Sequence, residues 1–137
     1  MTYGPVRTKP ETDVTKFNTV RFLYPYAMVT YSDNGMVSFT IKLDPDLILK
    51  IEEYAKQEKR KRSNCIIYLM DIGFKSDHTK PDRFEGVEGG REQVSVSTKY
   101  SEVVRQAETI ADTHFAGVFS NAVRWGIRSG LREEGAL

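Results

Sequence analysis

The stretch Met36-Val37-Ser38-Phe39-Thr40-Ile41-Lys42-Leu43-Asp44-Pro45-Asp46-Leu47 decides the fold. Val37, Phe39, Ile41 and Leu43 alternate with Ser38, Thr40 and Lys42, the two-residue period of a strand with one buried face. The alternation stops at Leu43 and helix-start signals follow at once. Asp44 suits the N-cap, Pro45 suits the first helical position, where its missing N–H costs nothing, and Asp46 suits the positive end of the helix dipole. Leu47, Ile51, Tyr54 and Ala55 then share one helical face. The spacing predicts a helix ending near Lys59-Arg60-Lys61-Arg62 and a second one capped by Ser63, with Ile66, Met70 and Phe74 as its apolar stripe.

The same grammar returns further along. Gln93-Val94-Ser95-Val96-Ser97-Thr98 alternates, Val103, Ala107, Ile110 and Ala111 form a helical stripe, and Ser120 is placed to cap a last helix carrying Val123, Ile127 and Leu131. Ser63-Asn64 and Gly73 match Ser120-Asn121 and Gly130 at the same spacing, so the repeat is one of architecture. The expected organisation is an N-terminal arm with a β-hairpin over 1–35, a first unit over 36–75, a linker over 76–92 and a second unit over 93–132. The hairpin rests on Thr19 to Tyr31, rich in aromatic and β-branched residues, with a strand around Tyr26–Tyr31. Ser32-Asp33-Asn34-Gly35 after it is a tight-turn signal, because Asn and Gly tolerate positive φ. Gly86, Gly89 and Gly90 with Pro81 mark the linker. The fold class expected is mainly α, with a two-stranded antiparallel ribbon formed by two tandem strand-helix-helix units that pair as a pseudo-dimer.

Composition narrows the function. The chain has 137 residues, a formal net charge of +1 and a single cysteine, Cys65. An internal disulfide is therefore impossible, and a cysteine-based zinc site is not expected. No stretch approaches the roughly 18 apolar residues of a membrane span. The start, Met1-Thr2-Tyr3-Gly4-Pro5-Val6-Arg7, has no signal-peptide apolar run. A cytoplasmic protein without membrane association is expected. No enzyme is expected either: His78 and His114 lie far apart and belong to no nucleophile or metal motif, the linker glycines make no phosphate-binding loop, and no cofactor or metal is implied.

A strand with two short helices cannot bury its apolar faces alone, whereas two copies can if their strands pair. Ser38, Thr40 and Lys42 with Gln93, Ser95 and Ser97 must then share the opposite, solvated face. A two-stranded ribbon of this kind fits the DNA major groove, and these are hydrogen-bonding side chains of suitable reach. The first helix of each unit opens with an acidic residue, Asp46 or Glu102, but the second opens with none: Ser63-Asn64-Cys65-Ile66 and Ser120-Asn121-Ala122-Val123. Those two starts are left open to an anion, so Ser63, Asn64, Ser120 and Asn121, with Lys61 and Arg62 beside the first, are candidate phosphate ligands. The second unit replaces the Lys59–Arg62 run with Asp112-Thr113-His114-Phe115-Ala116-Gly117-Val118-Phe119, which points to an asymmetric binder held more tightly by its first unit. Phe115, Val118 and Phe119 are alternatively expected to pack against the N-terminal hairpin or another molecule.

Met36 to Lys75 resembles a unit of the ribbon-helix-helix (MetJ/Arc-type) DNA-binding family, in its alternating strand, Leu-Asp-Pro-Asp-Leu helix start, basic turn and second helix. Gln93 to Leu131 is similar but departs further, with Gln-Ser-Ser where a longer or more basic triplet is usual. The resemblance is to tandem-repeat regulators and implies a transcription regulator of double-stranded DNA, whose ribbon enters the major groove while helix starts clamp phosphates. It implies base contacts from Ser38, Thr40, Lys42, Gln93, Ser95 and Ser97, with self-association on adjacent sites. The linker allows pairing of the units within one chain or exchange with a partner. The alternatives are an antitoxin-like protein acting through a protein partner and an architectural protein coating DNA with little sequence preference. Arg132-Glu133-Glu134-Gly135-Ala136-Leu137, soon after the last helix, leaves little room for a partner-binding tail.

Overall fold

The computed structural model describes residues 18–23, 27–76 and 91–136. The arm over 1–17 and most of the expected linker lie outside these residues. Along the chain come β1 (Asn18–Leu23), β2 (Ala27–Ser32), β3 (Val37–Leu43), α1 (Pro45–Glu58), α2 (Arg62–Lys75), β4 (Glu92–Thr98), α3 (Ser101–His114) and α4 (Phe119–Glu133). The architecture is mixed α/β and mostly helical, with the strand and two helices read from Met36 onward in their expected places. β3 and β4 begin at 37 and 92, α1 and α3 at 45 and 101, α2 and α4 at 62 and 119, so each later element slips by one residue.

β3 and β4 pair antiparallel within one chain, from Val37 opposite Thr98 to Leu43 opposite Glu92. Their inward residues Val37, Phe39, Ile41, Leu43, Val94 and Val96 are buried and roof a core filled by Ile51, Ile66, Leu69, Met70, Ile127 and Leu131. The sheet differs from the expected ribbon in having four strands, in the order β1-β2-β3-β4. The physical reason is that β3 presents an edge of unpaired backbone groups, and the Asp33–Gly35 turn brings β2 back onto it. Gly35 sits at φ +88°, Ser32 N–H donates to Met36 O at 2.8 Å, and Val29 of β2 is fully buried under the sheet. Only Met28–Tyr31 pair with β3, opposite Thr40–Val37, so the Ile41–Leu43 end carries no β2 partner.

Beneath the sheet α2 crosses α4 at backbone contact. A Cβ added to Gly73 would lie 2.1 Å from Gly126 O, and one added to Gly130 would lie 2.1 Å from Leu69 O. The two contacts are reciprocal, since Gly73 and Gly130 hold matching places in the repeat, as do Leu69 and Gly126. The strands obey the same reciprocity about the Thr40–Ser95 pair, whose hydroxyls lie 3.3 Å apart.

The basic turn opens at Lys59, whose φ of 57° is left-handed and lets Arg60 N–H reach Ala55 O at 2.9 Å. In the other segment, Phe115 is buried in a small cluster with Ala111 and Ala122 and lies 6.5 Å from the Trp125 ring. Phe119 enters the main core edge-on to Phe39 at 5.4 Å. These apolar residues therefore serve the fold's own packing rather than a separate surface.

Gly73→Ala and Gly130→Ala are each expected to cost about 3 kcal/mol or more, because the clash is with backbone that cannot rotate away. Gly35→Ala, strained but in open space, should cost about 1 kcal/mol. Urea midpoints at constant m-value check the ranking.

Candidate nucleic-acid interface

Strand alternation places Ser38, Thr40 and Lys42 of β3 and Gln93, Ser95 and Ser97 of β4 on the face of the sheet opposite the core. The register sets Ser38 beside Ser97, Thr40 beside Ser95 and Lys42 beside Gln93. Lys42, Gln93, Ser95 and Ser97 are exposed, while Ser38 and Thr40 are half-buried, the two that have β2 residues alongside. The face is therefore polar, continuous and unlike at its ends. One end carries a lysine and a glutamine, the other two serines.

Each second helix starts at one end of this face. Arg124, buried in the first turns of α4, donates to Lys42 O at 2.8 Å and to Asn121 Oδ1, which ties the α4 start to the Lys42 end. Asn64 near the α2 start lines a groove of about 700 Å³ together with Ser97 and Lys99, which puts that start at the serine end.

The helix starts differ from the expected caps. The N-caps are Lys61 and Val118, so Ser63 and Ser120 both fall at the second helical position, and no side chain caps either helix. The cause is packing: α4 begins at Phe119 because that ring is wholly buried, and a buried aromatic outweighs a cap worth about 1 kcal/mol. Asp44 stands at the N-cap of α1 as expected but makes no capping bond. Its buried carboxylate instead takes Arg91 Nε at 2.8 Å and Arg128 Nη2 at 2.5 Å. Charge-assisted bonds to two guanidinium groups are stronger than one bond to a backbone N–H.

The two candidate phosphate sites are unequal. At α2, Lys61, Arg62 and Asn64 are exposed and Ser63 is half-exposed. Arg62 makes a surface ion pair with Glu52 at 3.3 Å, and Arg60 lies over the Tyr68 ring at 4.0 Å. At α4, Asn121 has its side chain on Arg124 and its N–H on Val118 O at 3.1 Å, while Phe119 closes the first turn. The α4 start thus has less to offer an anion than the α2 start.

Sequence reasoning missed Arg91, Arg124 and Arg128. An arginine inside an amphipathic helix or at a strand's edge carries no local sign that it will be buried against a carboxylate or carbonyl 47 to 84 residues away. It also missed the strap from β2 to α3, where Tyr31 Oη donates to the buried Glu108 at 2.6 Å and Arg105 lies over the Tyr31 ring at 5.0 Å.

The described residues contain no group of three or more His, Cys, Asp or Glu side chains able to hold a metal ion. Cys65 is buried under α1, 3.8 Å from Ile51 O, and burial pushes its thiol up to about 11. His78 lies outside the described residues. No helix among them is long and apolar enough to cross a membrane. No protein-family model, curated protein or solved structure matches the chain.

The raised Cys65 value sets a pH dependence. The folded chain keeps a thiol proton that the unfolded chain gives up from its ordinary 9.0, so stability is intact below about 9 and falls as pH climbs towards 11. Tyr54, raised by burial and by its bond to Glu134, acts in the same direction at still higher pH. Denaturant midpoints between pH 8 and 11 should fall for the native chain and fall less steeply for Cys65→Ala. Equal slopes would remove the role given to the thiol.

Proposed function

We propose that this chain is a sequence-specific regulator of transcription that binds double-stranded DNA, of ribbon-helix-helix type, with its two tandem units forming a pseudo-dimer inside one polypeptide. β3–α1–α2 is the first unit and β4–α3–α4 the second. The observation that carries this reading is the outward polar face of β3 and β4, flanked at opposite ends by the starts of α2 and α4. A lone amphipathic strand has no need of reciprocal helix starts around its solvated side chains.

The physical division of labour follows from that placement. Lys42 and Gln93 have the reach and hydrogen-bonding capacity to read base edges in the major groove, with Thr40, Ser95, Ser38 and Ser97 making shorter contacts. The open α2 start, with Lys61, Arg62, Ser63 and Asn64, offers N–H groups, a helix dipole and cations to the phosphate backbone. Ser120 and Asn121 at α4 make the weaker clamp. Phosphate contacts of this kind hold the register while base contacts select the sequence. The near-neutral total supplies no general attraction to DNA and counts against the reading, so docking falls to the local cluster at Lys59–Arg62.

Selection of bound sequences from a random duplex library, with affinities repeated at two salt concentrations, tests the reading. A defined motif bound on the order of 10³-fold above bulk DNA is expected. Lys42→Ala should cost roughly 1–3 kcal/mol and relax preference at one or two base pairs. Lys61→Ala should weaken all sequences alike and lower the salt slope by about one. Tight, salt-dependent binding without a motif would make the protein architectural. No binding at low salt would assign the face to a protein partner.

A further inference from the structure

The polar face does not stop at β3. In register across the sheet, Thr30 of β2 stands beside Ser38, and Val20 of β1 stands beside Thr30. Met28 stands beside Thr40 in the central row, with Phe22 at the next register position. Since paired residues point to the same face, Met28, Thr30 and Val20 continue the surface that carries Ser38, Thr40, Ser95 and Ser97. Met28 and Val20 are 45% and 44% exposed. An exposed thioether and an isopropyl group beside hydroxyls give this side of the face an apolar character that the β3–β4 ribbon lacks.

The extension lies where the ribbon is poorest. The Lys42–Gln93 end has two long polar side chains and no third strand, whereas the Ser38–Ser97 end has two short hydroxyls and is flanked by β2. It is also the end at which the open, basic α2 start would hold the backbone. At about 4.8 Å spacing, β2 and β4 lie about 10 Å apart and β1 and β4 about 14 Å, so a major groove roughly 12 Å wide has room for β2, β3 and β4 and leaves β1 at its rim. The apolar feature a major groove offers is the thymine C5-methyl group.

We infer that β2 supplies a third row of base contacts, with Met28 seated on thymine methyl groups and Thr30 beside it, so that the preferred duplex is asymmetric. One end is read through polar contacts from Lys42 and Gln93, and the centre, on the β2 side alone, through thymine methyls at Met28. The inference rests on the DNA reading proposed above, and adds to it which bases are recognised and the lack of a palindrome.

The test uses the full chain and the best duplex it selects from a random library, beside the same duplex with deoxyuridine replacing thymidine. The selected motif should differ from its own inverted repeat and carry thymines near its centre, on one side only. Removing those methyls should weaken the native chain about fourfold for each one contacted. Met28→Ser, at an exposed position, should fold normally by thermal melting and be indifferent to the replacement. Gln93→Ala should change preference only at the Lys42–Gln93 end. A palindromic motif, or equal sensitivity to deoxyuridine in the native chain and Met28→Ser, would overturn the inference and leave the DNA reading standing. So would Met28→Ser binding DNA unchanged but sedimenting with a lower mass, which would assign the patch to a second copy. A chain that selects no motif overturns the DNA reading and this inference together.

Discussion

Two helix backbones meeting at Gly73, Gly126 and Gly130 set the geometry of the whole molecule. Side chains normally hold packed helices 8–10 Å apart, and here the Cβ atoms that would keep that spacing are missing at the crossing itself. The close approach lets α2 and α4 interlock under a narrow pair of strands. It also makes the contact reciprocal, because the residues that meet are the repeat-related ones. With the crossing settled, the starts of α2 and α4 are carried to opposite ends of the β3–β4 pair. The candidate interface is thus a consequence of core packing more than of any surface residue.

Charge then distinguishes the two ends. Asp44, at the corner between β3 and α1, draws in Arg91 from just before β4 and Arg128 from α4, which binds the two strand-helix-helix segments across their boundary. Arg124 ties α4 to the backbone of β3 at Lys42. These guanidinium groups serve as internal fasteners of the second segment. The cations of the first segment remain largely at its surface, at Lys59, Lys61 and Arg62. A chain with almost no net charge can in this way hold one basic end and one whose arginines are engaged internally.

Much of this was legible along the chain. β3 could be read to the residue because alternation of apolar and polar side chains has only one outcome in a half-buried strand. The start of α1 could be read because Pro45 is tolerated in few other helical places. The repeat was visible through Gly73 and Gly130, although their reason, backbone contact, was not. The caps were misread by two residues at Ser63 and Ser120; at Ser120, burial of Phe119 overrides a weak local preference. β2 folding back on β3 through the Asn34–Gly35 turn was legible too, whereas β1 was not, because an edge strand has no fixed pattern until a neighbour's free edge is placed beside it.

The sequence by itself determined which apolar residues of β3, β4 and the four helices are buried, and therefore the polar character of the Ser38–Lys42 and Gln93–Ser97 face. Periodicity is enough for that, because hydrophobic burial acts on each element's own faces. Tertiary structure alone decided that this face is four strands wide, that the α2 start is exposed and the α4 start half-buried, and that Asp44 answers to two arginines. Those outcomes depend on distances between residues remote in sequence, and no local pattern encodes a distance that only packing creates.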